Sequence, residues 1–334
     1  MTPAEGAGTA PDGRAQPGGQ AAPAVRTLLA RAADDLGAGG VTTPGVDAEL
    51  LLAHAWGVTR GELATRVVLA TPVPADVVDA FGALVARRAA REPLQHLTGT
   101  TPFRHLELAV GPGVFVPRPE TEDVAQVAID EARRVVAAGA AAPVVVDLCT
   151  GSGAIALALA TEVPQAQVHA VELDADAHAW ADRNVRAVSR DGKAAGAAGA
   201  SAAPLVTLVR GDARTALGHL DGACDVVVSN PPYVPPGAVP VDPEVALHDP
   251  DVALYGLGPD GLEVPRGITA AAARLLRDGG LYVMEHAEVQ AEAARRMLED
   301  TGCFQDVRTR DDLTGRPRMV VGRRTPRGVG GSRA

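Results

Sequence analysis

At 334 residues the chain has room for about two domains, each with a full buried core. Its 31 Lys and Arg stand against 41 Asp and Glu, a net charge of -10, and four Phe, three Tyr and two Trp are its whole aromatic complement. Neutralising phosphates takes a basic excess and binding single strands takes repeated aromatic platforms, so a nucleic-acid partner is disfavoured.

Residues 1–24 are Gly, Ala, Pro, Thr and Gln with almost no large apolar side chain, which predicts a disordered tail. From Val25 to about Arg91 apolar residues recur at helical spacing, through Val25, Leu28 and Leu29, then Ala48, Leu51 and Leu52, then Val77, Phe81, Leu84 and Val85. Thr43-Pro44 and Asp76 mark helix starts and Gly57 and Gly61 mark breaks, so 25–92 reads as a domain of four or five helices. Residues 93–119 change character. Thr98-Gly99-Thr100, Gly111-Pro112-Gly113 and the apolar pieces Leu106-Glu107-Leu108 and Val114-Phe115-Val116 predict a β-hairpin connector.

Residues 120–324 read as a second domain. After a helix over about 120–138, strands are expected at 144–148, 167–172, 206–209, 226–229 and 281–285, and helices at 154–161, 175–188, 264–277 and 287–300. An Ala/Gly-rich stretch at 190–204 reads as a surface loop, 301–324 as a closing antiparallel hairpin and 325–334 as a frayed end. Alternating strands and helices imply an α/β, doubly wound parallel sheet covered on both faces.

Asp147-Leu148-Cys149-Thr150-Gly151-Ser152-Gly153 joins a buried strand to a helix, where such sheets open their ligand crevice. Gly151 and Gly153 let a ligand approach the backbone, and the helix start beyond offers free N–H groups. Glu172, at the end of the next strand, is placed to accept both ribose hydroxyls of a nucleoside. Taken alone, the pair equally fits a tight turn beside a surface acid. Cys149 stands where a dinucleotide fingerprint has its first glycine, and no Gly-Lys-Ser/Thr phosphate loop is present. The turn instead resembles the first motif of class I S-adenosylmethionine-dependent methyltransferases. That resemblance implies S-adenosylmethionine as cofactor, contacts from Asp147, Cys149, Thr150, Gly151, Ser152, Gly153 and Glu172, and an Asp212 that accepts the adenine amino group with Ala213 beside the ring.

Ser229-Asn230-Pro231-Pro232-Tyr233 follows the apolar run Val226-Val227-Val228, and two prolines end that strand rigidly because neither donates a ladder hydrogen bond. The residue types suit methylation of a planar nitrogen, whose delocalised lone pair makes it a weak nucleophile. The Asn230 side-chain oxygen and the Pro231 carbonyl accept its two N–H groups and favour the rehybridised nitrogen, while Pro232 stiffens the loop and Tyr233 supplies a flat wall. Asn230 therefore faces both substrate and cofactor.

With these motifs in place, the chain resembles the HemK/PrmC family of peptide chain release factor glutamine methyltransferases. Matching stretches run from Pro93-Leu94-Gln95-His96-Leu97-Thr98-Gly99 through Phe115-Val116-Pro117-Arg118-Pro119-Glu120-Thr121-Glu122, the glycine turn and the Asn230–Tyr233 loop. They continue through Ala253-Leu254-Tyr255, Gly258-Pro259-Asp260-Gly261-Leu262 and Glu285-His286 to Asp312-Leu313-Thr314-Gly315-Arg316-Pro317-Arg318. The resemblance implies a Rossmann-like cofactor domain and a helical domain that grips the protein substrate. It also implies methyl transfer to the glutamine of the Gly-Gly-Gln motif in class-1 release factors, with Phe115 helping to bind substrate. A ribosomal-protein glutamine, an adenine amino group or a cofactor-binding regulator without catalysis are the competing readings, and the acidic balance weighs against adenine.

Three unpaired cysteines and eight scattered histidines show no ligand spacing, so neither disulfide nor metal is expected. Neither a signal peptide nor an apolar membrane span is evident, which predicts a cytoplasmic protein without a membrane partner. Arg118, Glu120 and Thr121 read either as site-ordering residues or as an ordinary helix start, and Glu285-His286 as a structural pair at a strand end.

Overall fold

The computed structural model describes residues 24–190 and 205–327. The expectations for residues 1–23, for nearly all of the 190–204 loop and for 328–334 lie outside them. The chain divides between Ala90 and Arg91 into two compact units.

The first unit holds α1 (Val25–Ala38), α2 (Pro44–Ala55), α3 (Arg60–Val68) and α4 (Ala75–Ala89). Leu36, Leu51, Leu52, Leu63 and Phe81 form its buried centre. Pro44 opens α2 at a position whose N–H has no partner to lose. Gly61 does not break the chain as expected. The Thr59–Glu62 capping box starts α3 across it, satisfying the N-terminal donors that would otherwise favour a loop. Inside the bundle Arg88 Nε donates to Asp47 Oδ2 at 2.7 Å and the Thr43 hydroxyl donates to Asp47 Oδ1 at 2.8 Å, a satisfied buried pair whose half-removal is strongly destabilising.

The second unit starts with α5 (Leu94–Thr98) and the hairpin β1 (Thr100–Phe103) and β2 (Leu106–Ala109). Phe103, Leu106 and Leu108 of this hairpin pack into the core of the second unit. Val114-Phe115-Val116, expected as a hairpin strand, forms no strand, and Val114 and Val116 are buried. Leu106–Ala109 already pairs with Thr100–Phe103 across a two-residue turn, and Pro112 interrupts any continuation.

There follow α6 (Thr121–Ala137), β3 (Val144–Leu148), α7 (Ala154–Glu162), β4 (Gln167–Glu172), α8 (Ala175–Arg190), β5 (Thr207–Arg210) and β6 (Cys224–Ser229). Next come α9 (Pro243–His248), α10 (Asp251–Leu254), α11 (Glu263–Leu275), β7 (Leu276–Glu285), α12 (Ala291–Asp300), β8 (Phe304–Asp311) and β9 (Pro317–Arg324). The seven-stranded sheet runs β5-β4-β3-β6-β7-β9-β8, antiparallel only at β7–β9 and β9–β8. Side chains alternate between two cores: Val145, Val226, Val228 and Val283 face α6, α7 and α8, while Val146, Val227, Tyr282 and Met284 face α11 and α12. This is the doubly wound class I methyltransferase arrangement. Thr325–Arg327, expected to fray, are held: Thr325 N–H donates to Cys303 O at 2.9 Å and Arg327 Nη2 to Leu276 O at 3.0 Å.

Candidate active site

Leu148 pairs with Ser229 in the parallel register, so the ends of β3 and β6 lie side by side. The chain runs outward from β3 through β4 to β5 and returns to β6 on the far side of β3. That reversal is the switch point at which an open α/β sheet forms a crevice. A cavity of about 740 Å³ occupies it.

Cys149, Thr150, Gly151 and Ser152 line the cavity together with Glu172 at the end of β4 and Asp212 and Ala213 beyond β5. Cys149 at φ 64° and Gly151 at φ 57° take the backbone through the left-handed region. Cys149 thus stands in a conformation that favours glycine, at a cost of about 1–2 kcal/mol. Burial, reinforced by the nearby carboxylates, pushes its thiol well up, so it stays protonated and is no nucleophile. Asp147 and Gly153, expected on the site, lie outside the cavity wall. Gly153 is the N-cap of α7 at φ 87°. Asp147 is fully buried; its Oδ2 accepts the Thr150 hydroxyl at 2.6 Å and the Ala156 N–H at 3.1 Å, tying the turn to the start of α7, and burial raises its carboxyl to about 7.

Glu172 Oε2 accepts the Gly151 N–H at 2.8 Å and Oε1 the Asp174 N–H at 2.9 Å. Burial raises its pKa and those N–H groups oppose the rise. The Leu173 N–H adds to that opposition. The Asp212 carboxylate is gripped by Arg214, whose Nη2 donates to Oδ2 at 2.6 Å and Nε to Oδ1 at 2.9 Å, and this pairing holds its pKa below the usual carboxylate range.

Phe115, Asn230, Pro231, Pro232 and Tyr233 line the same cavity. The Ser229 hydroxyl donates to Leu148 O at 2.6 Å, locking the two strand ends together. Beyond them the loop is clamped by backbone. Val234 N–H donates to Leu254 O at 2.8 Å and Gly256 N–H to Val234 O at 3.1 Å, while Gln290 Nε2 donates to Tyr233 O at 2.8 Å. A Cβ on Gly256 would stand 2.6 Å from Pro232 O and one on Gly261 2.4 Å from Tyr233 O, so only glycine allows this approach. The Arg118 guanidinium lies 5.5 Å from the Phe115 ring centre and Nη2 donates to Asp249 at 3.4 Å. Asn230 Nδ2 donates to Thr121 Oγ1 at 3.3 Å, the Thr121 hydroxyl to Glu285 Oε2 at 2.8 Å, and the Tyr233 hydroxyl to Glu285 Oε1 at 3.1 Å.

Residues 27–99 match the PrmC N-terminal domain family and residues 124–243 the Methyltransferase small domain family. The release factor glutamine methyltransferase of Streptomyces coelicolor is 48% identical over 298 residues, covering 89% of this chain and 96% of that protein. The chain belongs to the release factor glutamine methyltransferase family. The Mycolicibacterium smegmatis protein of the same name is 48% identical over 303 residues, covering 91% of this chain and 99% of its own. A Streptomyces pristinaespiralis protein named 4-amino-L-phenylalanine/4-methylamino-L-phenylalanine methyltransferase is 38% identical over 292 residues, covering 87% of this chain and 92% of its own.

Two residues of this site, Glu285 and Gln290, are not evident from the sequence, and Thr121, read as either a site-ordering residue or a helix start, is both. Glu285, expected to be structural, ends β7 with both carboxylate oxygens on site residues. Its signal is an acid closing the apolar run Leu281–Met284. Gln290 has none, since it sits in a single 3₁₀ turn. Among the described residues no His, Cys, Asp and Glu cluster suits a metal ion, and no helix is long and apolar enough to cross a membrane.

Proposed function

We propose that this protein transfers the methyl group of S-adenosylmethionine to the side-chain amide nitrogen of the glutamine in the Gly-Gly-Gln motif of class-1 peptide chain release factors. The reading is carried by one cavity lined by both the glycine turn with Glu172 and the Asn230–Tyr233 loop. The donor set suits an adenosyl cofactor: Glu172 offers acceptors for the ribose hydroxyls, and the Thr150–Ser152 turn offers a close backbone approach. Asp212 is suited to take the adenine amino group once Arg214 yields part of its hold, with Ala213 packing beside the ring. Asp147, Gly153 and Cys149 shape the turn. When bound, S-adenosylmethionine would supply an electrophilic sulfonium methyl: as the N–C bond formed the S–C bond would break, S-adenosylhomocysteine would leave as the neutral thioether, and the proton of the alkylated nitrogen would pass to water.

The chain's own residues present the nucleophile. Asn230 Oδ1 and the Pro231 carbonyl accept the two amide N–H groups, drawing the nitrogen out of conjugation as its lone pair commits to attack. Phe115, Pro232 and Tyr233 flank the planar amide, and correct positioning alone is worth up to about 7–11 kcal/mol. The nitrogen becomes acidic as the new bond forms, so no strong base is required. The net charge of -10 suits a protein partner better than RNA. The cytoplasm, where translation ends, is its place of action.

Incubating the protein with methyl-labelled S-adenosylmethionine and a recombinant release factor is expected to label the factor, and replacing the acceptor Gln is expected to abolish the label. Equal labelling of the Gln-substituted factor overturns the assignment. A second reading, a small aromatic amine as acceptor, is favoured by the Streptomyces pristinaespiralis relative. Faster transfer to 4-amino-L-phenylalanine than to the release factor would establish it.

A further inference from the structure

Three motifs have no part in the chemistry above: Pro117–Glu122, Glu285-His286 at the end of β7, and the Asp312–Arg318 turn between β8 and β9. Residues from all three meet at Asn230 and Tyr233. We propose that Glu285 is a positioning residue for methyl transfer, orienting the Asn230 amide through the Thr121 hydroxyl and holding Tyr233 directly. This rests on the acceptor role given to Asn230 and Tyr233 under the proposed function.

Proton counting sets the direction of each hydrogen bond. The Thr121 hydroxyl has a single proton, which it donates to Glu285 Oε2 at 2.8 Å. Toward Asn230 it therefore presents only a lone pair. Asn230 must turn Nδ2 to it, at 3.3 Å, and that leaves Oδ1 as the group free to accept from a substrate amide. With the Thr121 proton on the other side the amide would flip and set its own N–H groups against those of the substrate. The same carboxylate takes the Tyr233 hydroxyl at 3.1 Å, which fixes the ring that walls the acceptor.

Both hydroxyls are held only while Glu285 is ionised: a proton on Oε2 would donate to Thr121 and release the Thr121 proton toward Asn230, and one on Oε1 would displace the Tyr233 hydroxyl's own bond. The titratable and charged groups facing Glu285 are Tyr233, Glu120 and Arg318, with His286 next in the chain. Burial raises Glu285 to about 7, and Arg318 opposes the rise. Arg318 is held in place by Asp312, whose Oδ2 accepts from its Nε at 3.1 Å, while Asp312 Oδ1 accepts the Thr314 hydroxyl at 2.6 Å. The terminal turn thus carries a guanidinium that favours the ionised carboxylate. His286 has its Nδ1 on Ala287 O at 2.8 Å and takes no part in the relay.

Thr121→Val removes the hydroxyl at nearly constant volume, and Thr121→Ser keeps it. Thr121→Val and Glu285→Gln are expected to lower kcat for methyl transfer about 10-fold or more with the cofactor KM little changed, and Thr121→Ser to recover most of what Thr121→Val loses. Wild-type kcat is expected to rise as pH crosses about 7 and the Glu285→Gln profile to be flat there. Unchanged kcat in Thr121→Val, or equal losses in Thr121→Val and Thr121→Ser, would overturn the relay. A readout without substrate separates this from the functional assignment. The side-chain NH₂ resonances of Asn230, identified by their loss in Asn230→Asp, should shift as wild type crosses the Glu285 titration and stay still in Glu285→Gln. Resonances that do not respond in wild type overturn the relay whatever the acceptor proves to be, whereas a wild-type protein inactive on release factor overturns only the assignment.

Discussion

The two halves of the cavity are held in different ways. The glycine-turn half is local: Asp147 ties Thr150 and Ala156 together across nine positions of sequence, and Glu172 arrives from the neighbouring strand. The acceptor half is assembled from afar. Asn230 leans on Thr121, 109 residues away, Tyr233 on Glu285, 52 away, and the Tyr233 carbonyl on Gln290, 57 away, while Gly256 and Gly261 crowd the same backbone. A local turn keeps most of its backbone donors when one side chain is changed. A loop held by several distant segments loses its geometry when any one of them shifts. Damage in the acceptor half should therefore fall on turnover, and damage in the turn half on cofactor affinity.

The largest break is Asn230→Ala, which removes one of two preorganised acceptors. Turnover is expected to fall about 100- to 1,000-fold, with cofactor affinity by calorimetry within about threefold of wild type. Equal losses in both would erase the distinction between the halves. Gly261→Ala comes next. Its φ of 73° and the 2.4 Å approach to Tyr233 O leave no room for a methyl group, so the loop must shift. A stability loss of about 3 kcal/mol by denaturant titration is expected, with turnover reduced more than cofactor binding.

The pH dependence of stability probes the same half. Glu285 has its pKa raised by burial from 4.5 to about 7. Between those values the folded protein keeps a proton that the unfolded chain has lost. The stabilisation is full below about 4.5 and disappears as pH rises through about 7, on the order of 3 kcal/mol. Urea unfolding at about pH 5 and about pH 8 should show this loss, smaller in Glu285→Gln but not absent, since buried Asp147 is raised to about 7 with the same sign.

In the turn half, Glu172→Gln deletes one acceptor for backbone N–H and ribose together. Cofactor Kd should weaken about 10-fold, while kcat at saturating cofactor changes by less than about threefold. A larger fall in kcat than in affinity would show that the turn reaches into the acceptor chemistry. Cys149→Gly should have the smallest effect. Relief of about 1–2 kcal/mol of left-handed strain is offset by about 0.5–1 kcal/mol of added chain entropy. A thermal melt should show a net gain of no more than about 1.5 kcal/mol.

The same contrast governs how much of each half is legible along the chain. The turn is legible because its parts are neighbours: a strand, glycines and an acid ending the next strand share one stretch of chain. Asn230–Tyr233 is legible because two prolines after an apolar strand are unusual. The supports of that loop are not. Glu285 looks like any acid at a strand end until β7 is seen beside β6, and Gly256 and Gly261 look like ordinary turn residues until the carbonyls of Pro232 and Tyr233 are seen against them. The strand expected at Val114–Val116 fails for the related reason that pairing partners are chosen by contact, and Leu106–Ala109 already holds the partner.

By itself, then, the sequence determined the alternation of strands and helices, the helical first unit and the two motifs that flank the cavity, because periodicity and proline or glycine chemistry act within a few residues. Only the tertiary structure decided that Asp147 works from beneath the turn, that Arg214 holds Asp212, and that a buried carboxylate 55 positions past Asn230 faces its loop through Thr121 and Tyr233. Hydrogen-bond direction depends on which proton meets which lone pair in space, and no spacing along the chain encodes that.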